Sequence, residues 1–275
     1  MPELFDQIQE SVKEIRKTTQ AIPKVGIILG TGLGALAKEI QDQTVIPYGK
    51  IPHFPLSTVE SHAGELVFGK LGSTLVVAMK GRFHRYEGYS LQQVTFPVRV
   101  MKALGIEYLL VSNACGGMNR AYNPGDLMII EDHVNFMGDN PLIGKNDDRL
   151  GARWPDMIEP YSKELIALAE KIAWEKRIPV QKGVYVGVTG PCLETRAEYR
   201  FLSTLADVVG MSTVPEVIVA VHCQLKVLGI SVVTDKCVAD ILEPADIQKI
   251  IRHAQEAEPK LTILMKEVAS ALDKK

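Results

Sequence analysis

Val25-Gly26-Ile27-Ile28-Leu29-Gly30-Thr31-Gly32-Leu33-Gly34 reads as an apolar run, a glycine-rich turn and the approach to a short helical stretch ending near Ile40. The run is short enough for a strand buried on both faces. A buried strand feeding a helix through glycines is the unit from which α/β sheets are built. Upstream, residues 3–19 place Leu4, Phe5, Ile8, Val12 and Ile15 on one face of a helix. Ala21-Ile22-Pro23 ends that helix, because the residue before a proline is pushed away from helical angles. Downstream, strands are expected at Glu65–Lys70, Thr74–Lys80, Tyr108–Ser112, Leu127–Glu131, Gly183–Thr189 and Val227–Thr234. Helices are expected at Ser90–Leu104, Tyr161–Lys176, Thr195–Leu205, Val214–Leu225 and Pro244–Leu272. The alternation predicts one α/β domain over residues 1–275, a mixed central β-sheet with helices on both faces. Residues 136–160 are polar, rich in glycine and proline and without periodicity, and so are expected to form a long loop.

Composition narrows the function classes. Hydrophobic residues make up 46% and charged residues 23% of the 275, ordinary values for a soluble globular chain. A net charge of −2 supplies no basic field for a nucleic-acid backbone, so any bound anion must be met by a few local groups. Cys115, Cys192, Cys223 and Cys237 lack the close spacing of a zinc ribbon or redox pair, and free thiols fit a reducing cytoplasm. The start, Met1-Pro2-Glu3-Leu4-Phe5-Asp6, lacks the pattern of a signal peptide. No apolar run approaches the ~18 residues of a membrane span. The expectation is a cytoplasmic protein without a metal site and without membrane or nucleic-acid partners.

Four places where strands end carry unusual residues, and ligands of open α/β sheets gather at such ends. At Gly30–Gly34 the glycines let backbone N–H groups approach an anion, the next helix adds its dipole, and Thr31 adds a hydroxyl. A dinucleotide site is the rival reading, but positions 44–59 hold no Asp or Glu for a ribose, which argues against a dehydrogenase. In Lys80-Gly81-Arg82-Phe83-His84-Arg85-Tyr86-Glu87-Gly88-Tyr89, an extended chain points Arg82 and His84 to one side, a pair suited to a phosphate dianion. In Ser112-Asn113-Ala114-Cys115-Gly116-Gly117, Cys115 reads better as a buried small residue than as a nucleophile. In Gly210-Met211-Ser212-Thr213-Val214-Pro215-Glu216, Thr213 and Glu216 match a capping box, leaving Ser212 just before a helix N-terminus. Thr31, Arg82, His84 and Ser212 together suggest a dedicated phosphate site. Without a Walker lysine motif or a paired-carboxylate cluster, phosphate reads as a reactant.

At these residues the chain resembles the trimeric purine nucleoside phosphorylase family. The resemblance runs through Gly30–Gly34, His62-Ala63-Gly64, Gly81–Tyr89, Asn113–Gly117, Gly190–Thr195 and Gly210–Val217, in order and along nearly the whole length. It implies the purine/uridine phosphorylase-like fold and phosphorolysis of purine ribo- and 2′-deoxyribonucleosides, with inorganic phosphate as co-substrate and no cofactor. It implies a homotrimer with active sites near subunit interfaces. By the same resemblance Thr31, His62, Arg82, His84, Ser212 and the Ala114 backbone hold phosphate. Tyr86 and Met211 lie against the ribose, Leu193 and Val209 line the nucleoside pocket, and Glu194 meets the purine edge. Catalysis falls to His84, Glu194 and Asp235.

Three positions depart from the family pattern. Asp235 stands where many relatives have asparagine against the purine, Ile247 where they have a histidine for the 5′-hydroxyl, and Leu150 where a phenylalanine reaches the neighbouring subunit. An ionised Asp235 accepts from a 6-amino group and repels a 6-oxygen; burial near Glu194 would favour a protonated carboxyl that donates instead. Methylthioadenosine phosphorylases are similar in carrying aspartate and an apolar residue at such positions, yet typically lack the glutamate of Leu193-Glu194-Thr195. Adenosine or 5′-alkylthio nucleosides are therefore alternative substrates. A Cys115-dependent hydrolase using His62, His84 or His133, and a non-catalytic nucleoside-binding protein, are the alternatives from other classes.

Overall fold

The computed structural model describes residues 3–30, 34–56 and 64–274. Its strands are β1 (Val25–Ile28), β2 (Gln41–Pro47), β3 (Glu65–Leu71), β4 (Thr74–Lys80), β5 (Tyr108–Gly117), β6 (Leu127–Asn135), β7 (Val180–Gly187), β8 (Val208–Gly210) and β9 (Lys226–Lys236). The α-helices are α1 (Leu4–Thr18), α2 (Leu36–Glu39), α3 (Leu91–Leu104), α4 (Lys163–Glu175), α5 (Arg196–Leu202), α6 (Val214–His222) and α7 (Ile247–Ala271). The strands form one mixed sheet in the order β2-β3-β4-β1-β5-β8-β7-β6-β9. A further β5–β9 pairing returns the last strand to the middle, so β5, β8, β7, β6 and β9 close on themselves. Helices α1, α3 and α6 pack together, as do α2, α4 and α7, completing a single-domain α/β fold.

The sequence reading finds this fold and misjudges some of its edges. Strand β2 was not expected, because its side chains are mostly exposed and polar; it is held by antiparallel pairing with β3. Strand β8 has three residues, too few for a periodic signal. Strand β5 runs to Gly117, so Asn113–Gly117 belongs to the sheet and is not a loop beyond it. Helix α3 begins where expected, with Ser90 accepting from the Gln93 amide in a capping box. No helix or strand interrupts residues 136–162, as the lack of periodicity predicts.

Strands β1, β4, β5 and β9 are mutually parallel, so their carboxyl ends meet on one edge. Short β8 runs antiparallel to β5 and pairs Val209 with Gly116. At that edge β9 carries one extra residue: Cys115 faces Val233 while Gly116 faces Asp235, leaving Thr234 unmatched. Such bulges kink a strand and re-aim the next side chain. Here the next side chain is Asp235.

Candidate active site

The carboxyl ends of β4, β5 and β9, with β8 and the approach to α5, enclose a cleft of about 200 Å³. Arg82, His84 and Tyr86 come from the loop after β4, Ala114 from β5, and Val209, Met211 and Ser212 from β8 and the turn after it. Leu193 and Glu194 precede α5, and Asp235 is the penultimate residue of β9. The cleft continues into a cavity of about 750 Å³ that shares Leu193, Glu194 and Asp235 and is walled by α7.

The basic end is built on buried carboxylates. Arg82 is 1% exposed. Its Nε and Nη2 donate to Glu216 Oε1 at 3.1 and 2.7 Å, and its Nη1 donates to the Ser112 carbonyl at 2.8 Å. These contacts fix the plane of the guanidinium. His84 is held likewise, with Glu87 Oε1 2.9 Å from its Nδ1 and accepting from its backbone N–H at 2.8 Å. The Tyr86 ring stacks on the imidazole, centroids 4.7 Å apart. Burial pushes the Tyr86 hydroxyl above its ordinary range, with Glu87 adding to the shift.

Glu216 corrects the expected capping box. The structure shows no side-chain cap from Thr213; Glu216 reaches Arg82 instead. Thr213 has φ +69° and ψ −53°, and the Val214 N–H donates to the Ser212 carbonyl at 2.7 Å. This is a γ-turn of the strained hand, unfavourable for a β-branched residue. It is retained by Asn113 Nδ2, which donates to Thr213 Oγ1 at 2.9 Å. The strain turns Ser212 to the cleft, where strained backbone is commonly found.

Of the Gly30–Gly34 stretch, residues 31–33 lie outside the described residues. Helix α2 has only four residues, and the Ala35 N–H at its start donates to Glu258 Oε1 at 2.6 Å. A carboxylate of α7 thus meets the first amide of α2. Thr31 and His62 lie outside the described residues.

At the opposite end, Asp235 is held on both oxygens. Thr234 Oγ1 lies 2.8 Å from Oδ1, and the Cys237 thiol donates to Oδ2 at 3.0 Å. Tyr199 lines the same cleft; burial first, and the neighbouring Cys237 and Glu194 next, push its hydroxyl far above its usual range. His253 of α7 lines the larger cavity, its Nδ1 2.6 Å from the Thr234 carbonyl. That carbonyl can only accept, so Nδ1 carries a proton and donates to it.

One expected residue of this chain's own cleft lies elsewhere. Ile247 begins α7 and is 59% exposed, outside both cavities; one turn on, Ile250 faces the cleft. The helix begins at the Asp246 cap, which accepts from the amides of Gln248 and Lys249 and sets this phase. Leu150 lines a separate groove with Arg99, Arg149 and His222. Sequence reasoning missed Asn113, Tyr199, Thr234, Cys237, Ile250 and His253. Of these, Asn113 lies inside a strand-end stretch already quoted, and Thr234 and Cys237 flank Asp235.

The thiol-hydrolase alternative finds no support. Cys115 is 3% exposed and its thiol donates to the Val232 carbonyl at 3.4 Å. Burial, then Asp235, push it far above the usual thiol range, so it stays protonated. His133 instead pairs with Tyr161, its Nδ1 3.1 Å from the hydroxyl. Burial lowers His133 from 6.5 to about 4, against a smaller opposing effect of Asp132. The unfolded chain therefore takes up this proton first as pH falls. Stability is full above about pH 6.5 and drains away toward pH 4, by about 3 kcal/mol at most. Denaturant melts at pH 7 and pH 4 should show His133→Gln losing about that much less than wild type. Equal losses would contradict it.

A model of the phosphorylase superfamily matches residues 24–270. The chain belongs to the phosphorylase superfamily. Within this superfamily it is 52% identical over 266 residues to purine nucleoside phosphorylase 1 of Bacillus subtilis, covering 96% of this chain and 98% of that one. It is 45% identical to the purine nucleoside phosphorylase of Mus musculus, covering 96% of each. A crystal structure of isoform 2 of the Schistosoma mansoni purine nucleoside phosphorylase, in complex with cytosine and ribose-1-phosphate, superposes with a TM-score of 0.94. That structure is 41% identical, over 98% of this chain and 97% of the other. The cleft lies where strands end in this superfamily member, as expected of an α/β sheet.

Proposed function

We propose that this phosphorylase-superfamily chain is a purine nucleoside phosphorylase. It cleaves the N-glycosidic bond of purine ribo- and 2′-deoxyribonucleosides with inorganic phosphate, giving the free base and the pentose 1-phosphate. The observation that carries this reading is the polarity of one cleft. Arg82 and His84, each braced by a carboxylate, face one end with Ser212, while Glu194 and Asp235 face the other.

In this reading phosphate binds at Arg82, His84, Ser212 and the Ala114 backbone, with Thr31 and His62 joining from outside the described residues. As the bond from C1′ to the purine nitrogen stretches, the sugar gains oxocarbenium character. A desolvated phosphate dianion on the opposite face stabilises that charge. A phosphate oxygen then bonds to C1′, and the electron pair of the broken bond leaves with the purine. Glu194 and Asp235 hold the base through its hydrogen-bonding edge, and Tyr86, Leu193, Val209 and Met211 enclose the nucleoside. The reaction needs no organic cofactor and no metal.

The reading extends to one catalytic unit over residues 1–275, to the cytoplasm and to a homotrimer. In the trimer the groove at Leu150 would be covered by a neighbouring copy. The test is the rate of purine release from inosine and from adenosine as phosphate is titrated. A saturating phosphate dependence with no rate at zero phosphate is expected; phosphate-independent release would overturn the reading.

A further inference from the structure

We propose that Cys237 is a positioning residue that sets Asp235 as a hydrogen-bond acceptor for the exocyclic amino group of 6-aminopurine nucleosides. This rests on the cleft being a purine nucleoside site.

The bulge at Thr234 turns Asp235 into the cleft and brings two protein donors to its carboxylate. They are not equivalent. A hydroxyl has one proton, and Thr234 Oγ1 lies 3.1 Å from the Cys115 carbonyl as well as 2.8 Å from Asp235 Oδ1. Its hold on Asp235 is therefore shared. The Cys237 thiol donates to Oδ2 at 3.0 Å. Burial and the adjacent carboxylate push the thiol far above its usual range, so the proton stays on sulfur. The sulfur also has a seat made for it: a Cβ on Gly116 would lie 2.4 Å from Sγ, so only glycine there admits it.

A carboxylate oxygen that accepts from the thiol keeps further lone pairs for the cleft. It offers an acceptor to the base. A 6-amino group donates to that acceptor, whereas a 6-oxygen meets it lone pair to lone pair. Loss of the thiol should release the carboxylate to turn and blunt this discrimination, without removing any group that touches phosphate.

The experiment compares kcat/KM for adenosine and inosine, at saturating phosphate, in wild type, Cys237→Ala, Cys237→Ser and Asp235→Asn, with thermal midpoints for each. Cys237→Ala should lower the adenosine-to-inosine ratio by about fivefold, the factor of an ordinary hydrogen bond, since a thiol is a weak donor even to a carboxylate. Cys237→Ser restores a donor and should hold the ratio within about twofold. A merely structural role would lower both rates together and leave the ratio unchanged, which overturns the proposal. So would an equal fall in the serine and alanine variants. If Asp235→Asn shifts the ratio and Cys237→Ala does not, only the role of Cys237 fails. If Asp235→Asn leaves it unmoved, the reading of Asp235 against the base fails, and this proposal with it.

Discussion

Arg82→Ala should lower kcat/KM for phosphorolysis by roughly 10²–10⁴-fold, since two charge-assisted bonds to phosphate at about 1.5–3 kcal/mol each would be lost. The same change leaves Glu216 buried without its cation, because both of the cited ion-pair contacts of Glu216 are to Arg82. Breaking such a pair from one side costs about 3–5 kcal/mol of stability. Activity and stability are therefore entangled in the single variant. The double variant Arg82→Met with Glu216→Leu separates them, since replacing both charges by apolar groups of similar volume is often close to neutral. Its thermal midpoint should recover toward wild type while its phosphate-dependent rate stays low. A double variant with recovered stability and a near-normal rate would show that Arg82 serves the fold alone.

Asp235→Asn should lower the ratio of adenosine to inosine kcat/KM by roughly 10–10²-fold, because a hydrogen bond to a charged group contributes about 1.5–3 kcal/mol. The direction follows from the chemistry of the two side chains. A carboxylate with Cys237 donating to it presents acceptors to the cleft, whereas an amide can accept through oxygen and donate through nitrogen. Asparagine can thus satisfy a 6-oxygen that aspartate repels. Steady-state rates on both nucleosides measure the ratio, and a fall in both rates by the same factor would mean that Asp235 does not read the base.

Much of this site was legible in the residues, for identifiable reasons. Arg82 and His84 lie two positions apart after an apolar strand, so one backbone direction delivers both to the cleft. Asp235 follows the apolar run of β9 directly, and the end of a parallel strand is where ligands meet an α/β sheet. What stayed hidden depends on contacts distant in sequence. Glu216 looked like a cap because its spacing from Thr213 fits one; its partner Arg82 lies 134 positions away. The γ-turn at Thr213 puts a β-branched residue where local preference would place glycine, and only the Asn113 contact explains it. Ile247 was placed by spacing, whereas the Asp246 cap sets the phase of α7 and brings Ile250 to the cleft. Tyr199 and His253 sit on helices as ordinary amphipathic positions until the fold sets them beside Glu194 and the Thr234 carbonyl.

The most direct measurement follows phosphorus. Incubation of the protein with a purine nucleoside and inorganic phosphate, monitored by ³¹P NMR, should show a pentose 1-phosphate growing in step with the free purine, because phosphate attacks C1′. Release of purine with free pentose and an unchanged phosphate signal would make water the nucleophile and contradict the assignment of the basic end of the cleft.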